Sequence, residues 1–132
     1  SFMLPFAKIG LIPDTACSWL VPQRIGHARA LGLAMMGNKL PAAKAAEWGL
    51  IWEAVAEEAF AENVQKLAEQ LAAMPTKALV RTRQAMQAAQ TNTLEQQLTL
   101  EGMLMREMGR SSDYVEGVAA FLEKRTPRFT GA

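Results

Sequence analysis

Hydrophobic residues recur at helical spacing along much of the chain. In the second half, apolar residues three or four positions apart predict an amphipathic helix that begins at Glu57 and ends before Pro75. The residues of this apolar stripe are Phe60, Val64, Leu67 and Leu71. The pattern predicts a mainly α-helical chain.

Glycine and proline divide the remaining chain into further helices, because glycine ends helices and proline favours their first turn. Helices are predicted over residues 15–25 with an interruption near Pro22, and over 27–36, 41–49, 76–89, 94–108 and 113–124. Ser111 or Ser112 is expected to cap the last helix. Residues 50–55 predict a short extended segment, and residues 1–3 predict a strand or the approach to one.

A single carboxylate, Asp14, follows the apolar run of residues 5–13 and directly precedes the first predicted helix. The N–H groups at a helix N-terminus need acceptors, and Asp is among the residues that best supply one. Position alone therefore favours a helix cap. The alternative is a carboxylate that takes part in chemistry.

Several segments of the chain are similar to those of a known family and occur in the same order and at the same spacing. They are Ile-Gly-Leu-Ile-Pro-Asp at 9–14, Arg-Ile-Gly at 24–26, Ala-Leu-Gly-Leu-Ala at 30–34, Ala-Ala-Glu-Trp-Gly-Leu at 45–50 and Glu-Gly-Val-Ala-Ala-Phe-Leu-Glu-Lys-Arg at 116–125. Together they resemble the C-terminal half of the crotonase superfamily, the enoyl-CoA hydratase/isomerase family. Residues 11–14, 47–52, 91–94 and 129–132 are similar to the ring-1,2-epoxyphenylacetyl-CoA isomerases of phenylacetate degradation.

The resemblance implies an α/β fold for the whole enzyme and a mainly α fragment for this chain. Residues 1–56 would form the C-terminal end of the β-β-α spiral core and carry the catalytic Asp. Residues 57–132 would form a helical oligomerisation region that builds a trimer or a dimer of trimers. The oxyanion hole would come from backbone N–H groups of an N-terminal half that this chain lacks, so the fragment alone is expected to be inactive.

The resemblance also assigns chemistry to Asp14. Hydratases of the family place a glutamate at the position of Phe6, whose apolar ring cannot exchange protons. The site therefore resembles that of the isomerases, in which one Asp takes a proton from one carbon of an acyl chain and returns it to another. Phe6, Pro13 and Trp19 would form an apolar substrate pocket that keeps the carboxylate basic by excluding water. Coenzyme A thioester would be the substrate, and no separate cofactor is implied.

The last predicted helix carries an aromatic ring and a cation that match coenzyme A contacts in the family. Phe121 would stack on the adenine and Lys124 would pair with a phosphate, often across a subunit boundary. The alternative is a core phenylalanine and a solvated lysine in the last helical turn, where a cation suits the helix dipole. The residues themselves support both interpretations equally.

One short segment departs from the family pattern. Members usually carry two glycines where this chain has Ala16 and Cys17, and added side chains crowd any backbone that approaches a ligand. We therefore expect a narrower pocket or an altered activity.

Composition and charge weigh against several classes of function. The formal net charge of +1 gives no electrostatic case for nucleic acid or for an anionic membrane. The single cysteine, Cys17, suits a reducing cytoplasm, and neither metal-ligand spacing nor an apolar run of membrane length occurs. The one histidine, His27, is assigned no role. The cations between Lys77 and Arg83 are expected to form only a solvated helix face.

The sequence thus predicts an acyl-CoA isomerase that shifts a double bond or opens a ring epoxide, with Asp14 as the proton shuttle. The enzyme alternatives are a straight-chain 3-enoyl-CoA isomerase and a hydratase-like enzyme. A non-catalytic helical assembly module is the alternative of another class, and in that case Asp14→Asn would change only stability.

Overall fold

The computed structural model describes all 132 residues, and its regular structure is helical. A 3₁₀ helix spans Phe6–Ile9 and is followed by seven α-helices. They are α1 Cys17–Ile25, α2 His27–Met36, α3 Ala42–Glu47, α4 Glu57–Ala72, α5 Thr76–Ala88, α6 Leu94–Met108 and α7 Ser112–Glu123. The β-structure is one antiparallel bridge, in which Phe2 and Leu40 exchange N–H···O bonds of 2.9 and 2.7 Å. The prediction of a mainly α-helical chain is confirmed.

The backbone forms two compact units, Ser1–Phe60 and Ala61–Ala132. In the first unit, α1 and α2 pack against each other beside an apolar core. The buried core residues are Ile25, Ala30, Leu33, Leu40 and Ala45. Trp48 packs against this core, and its ring centre lies 5.4 Å from the Arg29 guanidinium carbon and 6.0 Å from Lys44 Nζ. At such distances a cation is attracted to the face of an aromatic ring.

A glycine ends α2 where the chain approaches itself closely. Gly37 is buried and has a φ of 57°, in the left-handed region. A Cβ at this position would stand 3.0 Å from Lys8 Cε and 3.3 Å from Pro5 Cα. The absence of a side chain therefore lets the 3₁₀ helix and the residues before it lie against the end of α2.

In the second unit, polar side chains join α5 to α6. The Arg81 guanidinium donates to the Glu107 carboxylate at 2.8 Å, and Lys77 Nζ lies 3.5 Å from the same carboxylate oxygen. The hydrogen bond from Arg81 is the main reason that the pKa of Glu107 is lowered. The prediction that the cations of this segment form only a solvated face is therefore wrong for Lys77 and Arg81, because α5 packs on α6.

Side-chain caps begin α6 and α7. Thr93 Oγ1 accepts a bond of 3.2 Å from the Gln96 N–H, and Gln96 Oε1 accepts one of 2.9 Å from the Thr93 N–H, which together form a capping box. Ser111 Oγ accepts a bond of 3.1 Å from the Tyr114 N–H. Of the two serines predicted as the cap of the last helix, the cap is Ser111.

Three short elements differ from the sequence prediction. Helix α1 continues through Pro22, which was expected to interrupt it; Pro22 is the sixth of its nine residues and lacks the N–H that would bond to the carbonyl four residues earlier. Helix α3 begins after Pro41, which serves as its N-cap, and is shorter than the predicted 41–49. Residues 50–52 bend and residues 53–56 have no regular structure, since no neighbouring strand offers them hydrogen bonds.

Candidate active site

Asp14 lies on a short turn between the 3₁₀ helix and α1. Its backbone carbonyl accepts a hydrogen bond of 2.9 Å from the Cys17 N–H, and its side chain is exposed. The next two residues, Thr15 and Ala16, have φ values of 50° and 63°, both in the left-handed region. Ala16 is the N-cap of α1, and no side chain caps this helix. The interpretation of Asp14 as a helix cap is therefore wrong.

An apolar groove reaches the residue directly before Asp14. The groove has a volume of about 340 Å³ and lies among the 3₁₀ helix region, residues 11–13, α1 and α2. Pro13 is one of its lining residues, whereas Phe6 and Trp19 are not. Of the three residues predicted to form a substrate pocket, the structure places one in this groove.

Phe6 and Trp19 lie elsewhere in the same unit. Phe6 is the first residue of the 3₁₀ helix and is half-buried, and its carbonyl accepts a bond of 2.9 Å from the Leu11 N–H. Trp19 lies in the first turn of α1 with 63% of its surface exposed. Their roles at the substrate stay predictions.

Two residues without an assigned role, Cys17 and His27, line the groove. Each is the first residue of its helix, Cys17 of α1 and His27 of α2. Apolar periodicity identifies residues within the apolar face of a helix, so it does not single out a residue at the first position of the helix. Their placement at two neighbouring helix starts is the sequence signal that could have identified them.

A second apolar cavity, of about 660 Å³, lies within residues 75–132. Phe121 lines this cavity and is 82% exposed, so it is not the core phenylalanine of the alternative interpretation. Lys124 is the exposed C-cap of α7, with a φ of 54°, and is not among the lining residues. The contact of Phe121 and Lys124 with coenzyme A stays a prediction.

Sequence reasoning missed Asp113, the buried carboxylate of α7, which is 5% exposed. It accepts hydrogen bonds from the Thr130 N–H at 2.7 Å, the Thr130 hydroxyl at 3.3 Å and the Gly131 N–H at 2.8 Å. These bonds fasten the segment after α7 against the start of that helix. An Asp in the first turn of a helix commonly interacts favourably with the helix dipole. Its sequence position alone therefore does not predict the contact with Thr130 and Gly131.

Charged groups next to Asp113 hold the same segment. Arg125 donates to both carboxylate oxygens of Glu116, at 2.6 and 2.9 Å, and the Arg128 N–H donates to Glu116 at 2.7 Å. The hydrogen bond from Arg125, followed by that from Arg128, lowers the pKa of Glu116 to about 2. The hydrogen bond to Glu116 also raises the pKa of Arg125 above its usual range. Arg125 and Glu116 therefore stabilise each other's charged forms, and the bond from the Arg128 N–H to Glu116 holds the backbone after α7.

No group of three His, Cys, Asp or Glu side chains lies close enough together to hold a metal ion. None of the helices combines the length and the hydropathy needed to cross a bilayer. The groove beside Asp14 and the cavity at Phe121 are the concave surfaces that contain sequence-predicted residues.

Proteins of one family match the chain along its whole length. The family model described as enoyl-CoA hydratase/isomerase matches residues 1–132. The 1,2-epoxyphenylacetyl-CoA isomerase of Escherichia coli (strain K12) is 52% identical over 130 residues, which cover 98% of this chain and 50% of that protein. The trans-2-decenoyl-[acyl-carrier-protein] isomerase of Streptococcus mutans is 29% identical over 130 residues, which cover 98% of this chain and 49% of that protein.

Solved structures show the same fold. The crystal structure of an enoyl-CoA hydratase from Polaromonas sp. JS666 matches with a TM-score of 0.91 at 31% identity, covering 98% of this chain and 50% of that one. The enoyl-CoA hydratase from Bacillus anthracis matches with a TM-score of 0.92 at 28% identity, with the same coverage of 98% and 50%. The chain thus spans about half the length of the relatives it matches, and the predicted crotonase fold is confirmed. The chain belongs to the enoyl-CoA hydratase/isomerase family.

Proposed function

We propose that this chain is the C-terminal half of an acyl-CoA isomerase in which Asp14 carries a proton between two carbons of a CoA thioester. The observation that carries the proposal is the state of the Asp14 side chain. It is exposed, it does not cap α1, and it directly follows Pro13 of the apolar groove. A base for carbon acids needs a carboxylate that can reach the substrate. The 52% identity to an isomerase of Escherichia coli supports the assignment.

The proposed reaction is a proton transfer through an enolate. Asp14 removes a proton from the carbon next to the thioester carbonyl, and negative charge develops on the thioester oxygen. Two backbone N–H groups from the remaining half of the enzyme stabilise this charge. Phe6 suits an isomerase because its apolar ring cannot activate water. The same shuttle would shift a double bond or open a ring epoxide, depending on the acyl group.

The other parts of the chain have roles in the same proposal. Phe121 and Lys124 contact the adenine and a phosphate of coenzyme A, and the exposure of both side chains supports this. Residues 1–56 complete the spiral core, and residues 57–132 build a trimer or a dimer of trimers. The enzyme would work in the cytoplasm on acyl-CoA, without nucleic acid or membrane partners.

The test compares the full-length enzyme with its Asp14→Asn variant. Asparagine has nearly the same size as aspartate but cannot take up a proton, so we expect kcat to fall by about 10²–10⁴-fold. Folding, oligomeric state and CoA binding should be unchanged. Glu53→Gln makes the same change of charge at another exposed residue of the unit and should retain activity. Full turnover by a folded Asp14→Asn enzyme would contradict the proposal.

The choice of substrate separates the possible activities. We expect ring-1,2-epoxyphenylacetyl-CoA to be converted faster than a straight-chain 3-enoyl-CoA. The reverse order would indicate an isomerase of straight-chain acyl groups, and addition of water to a 2-enoyl-CoA would indicate a hydratase. An intact oligomer that neither binds nor converts acyl-CoA would indicate a non-catalytic assembly module.

A further inference from the structure

Thr15 and Ala16 form a strained turn between Asp14 and α1. Both residues have φ values in the left-handed region, at 50° and 63°, which residues other than glycine, asparagine and aspartate rarely adopt. Thr15 is also β-branched, and a β-branched residue with such a φ is an outlier. Strain of this kind persists only where the surrounding structure imposes it, and it is concentrated at functional sites.

The turn determines what the carboxylate of Asp14 can bind. A capping Asp stands immediately before the first helical residue, and its side chain accepts an N–H bond from the second or third helical residue. Here Ala16 occupies that place, and Ala16 has no side-chain acceptor. The bond from Asp14 to the helix start is made by its backbone carbonyl, at 2.9 Å from the Cys17 nitrogen. The side chain is therefore not drawn into the helix N-terminus.

We propose that Thr15 and Ala16 are positioning residues, whose left-handed backbone keeps the Asp14 carboxylate off the N-terminus of α1 and available to the substrate. The inference rests on the proposed function of Asp14. A carboxylate that accepted helix N–H bonds would be stabilised in its charged form and would be a weaker base. Its oxygens would also be directed towards the helix rather than the substrate. Thr15 and Ala16 thus lie between the start of α1 and Asp14, the residue whose sequence position favours a helix cap.

Substitutions at Ala16 separate backbone conformation from side-chain size. Ala16 is exposed in this structure, so a longer side chain has room. Asparagine and valine differ little in size, but asparagine readily adopts a left-handed backbone, whereas the β-branched valine opposes it more than alanine does. In the full-length enzyme, Ala16→Asn should therefore retain kcat. Ala16→Val should lower kcat by about 10²-fold, as expected for a catalytic group displaced by about 1 Å, with KM unchanged.

Glycine supplies a further control because it adopts the required φ without strain. Ala16→Gly should retain kcat and KM, which would show that the methyl group itself is dispensable. If Ala16→Val does not fold, as judged by circular dichroism, Thr15→Gly and Thr15→Pro provide the comparison at the neighbouring left-handed residue, because glycine adopts such a φ freely and proline cannot. The expected order of kcat is the glycine variant above the proline variant.

The outcomes distinguish this inference from the proposed function. If Asp14→Asn is inactive while the asparagine and valine variants of Ala16 have equal kcat, the positioning role is wrong and the role of Asp14 stands. Loss of kcat in both variants would also overturn the positioning role, because side-chain size would then be the cause. Full activity of Asp14→Asn would remove both proposals together.

Discussion

The two units of the chain are stabilised in different ways. Residues 1–60 bury an apolar cluster, in which Ala45 is 0% exposed and Leu40 is 4% exposed. Residues 61–132 fully bury one apolar side chain, Ala120, together with the carboxylate of Asp113. The first unit therefore depends mainly on the removal of apolar surface from water, and the second depends strongly on directed polar bonds.

This difference predicts how each unit responds to change. The stabilisation that comes from apolar burial involves no ionisable group and requires no particular bond direction. It is therefore reduced when side-chain volume is lost and does not depend on pH. Hydrogen bonds to carboxylates depend on ionisation, so they weaken when the acid is protonated. Truncation of a core residue should therefore damage the first unit most, and acid should act mainly on the second.

The largest effect is expected for Leu33→Ala in the core of the first unit. Leu33 is 8% exposed, and removal of a buried leucine side chain typically costs about 2–5 kcal/mol in free energy of unfolding. Leu31→Ala on the same helix is the matched control, since Leu31 is 46% exposed and should lose about 0.5 kcal/mol. Urea unfolding followed by circular dichroism measures both. Equal losses would show that this core does not stabilise the unit.

A smaller effect is expected for Asp113→Ala in the second unit. The variant leaves the N–H groups of Thr130 and Gly131 without their acceptor. Because a released segment can bond to water instead, we expect a total loss of about 1.5–3 kcal/mol, the range for one hydrogen bond to a charged group. The segment after α7 should detach, and trypsin should cut faster after Arg125 and Arg128.

Asp113→Asn is the matched control for that experiment. Its remaining side-chain oxygen can still accept one of the bonds, so its cleavage rate should lie between those of the wild type and Asp113→Ala. An unchanged cleavage rate in Asp113→Ala would mean that the segment is held by other contacts.

The smallest effect is a dependence on pH that arises from Glu116. Its pKa of about 2 in the folded chain lies below the ordinary 4.5, so the ionised group stabilises the fold above about pH 4.5. That contribution is lost as the pH falls through about 2. Protection of the Arg128 amide from hydrogen exchange should therefore decrease on acidification, because this N–H donates to Glu116.

In Glu116→Gln the protection of the Arg128 amide should be lower at neutral pH and should change less with acid. Glu95→Gln removes an exposed carboxylate of α6 and should behave as the wild type. A Glu116→Gln protein with the full acid response of the wild type would assign that response to another group.

The helices were predictable wherever apolar spacing and end signals agreed. The predicted bounds 27–36 and 94–108 are those of α2 and α6, since glycine follows the last residue of each. The helix predicted from Glu57 also exists, yet Phe60 of its apolar stripe is 58% exposed. Periodicity therefore predicts that a helix forms, but it does not identify what covers its apolar face.

The candidate site was predictable in its residues and less so in its geometry. The sequence singles out Asp14, but its release from the helix depends on the φ values of Thr15 and Ala16, which intrinsic preference would place elsewhere. The bonds of Asp113 to residues 17 and 18 positions away were missed because no local periodicity relates such distant partners.

The three tryptophans of this chain, Trp19, Trp48 and Trp52, all belong to residues 1–60. Trp48 lies beneath two cations against the core, whereas Trp52 is 79% exposed, so unfolding of this unit would change the surroundings of Trp48 most. Indole emission from the chain therefore reports on the first unit. The unit that carries Asp14 is also the one whose state intrinsic fluorescence records.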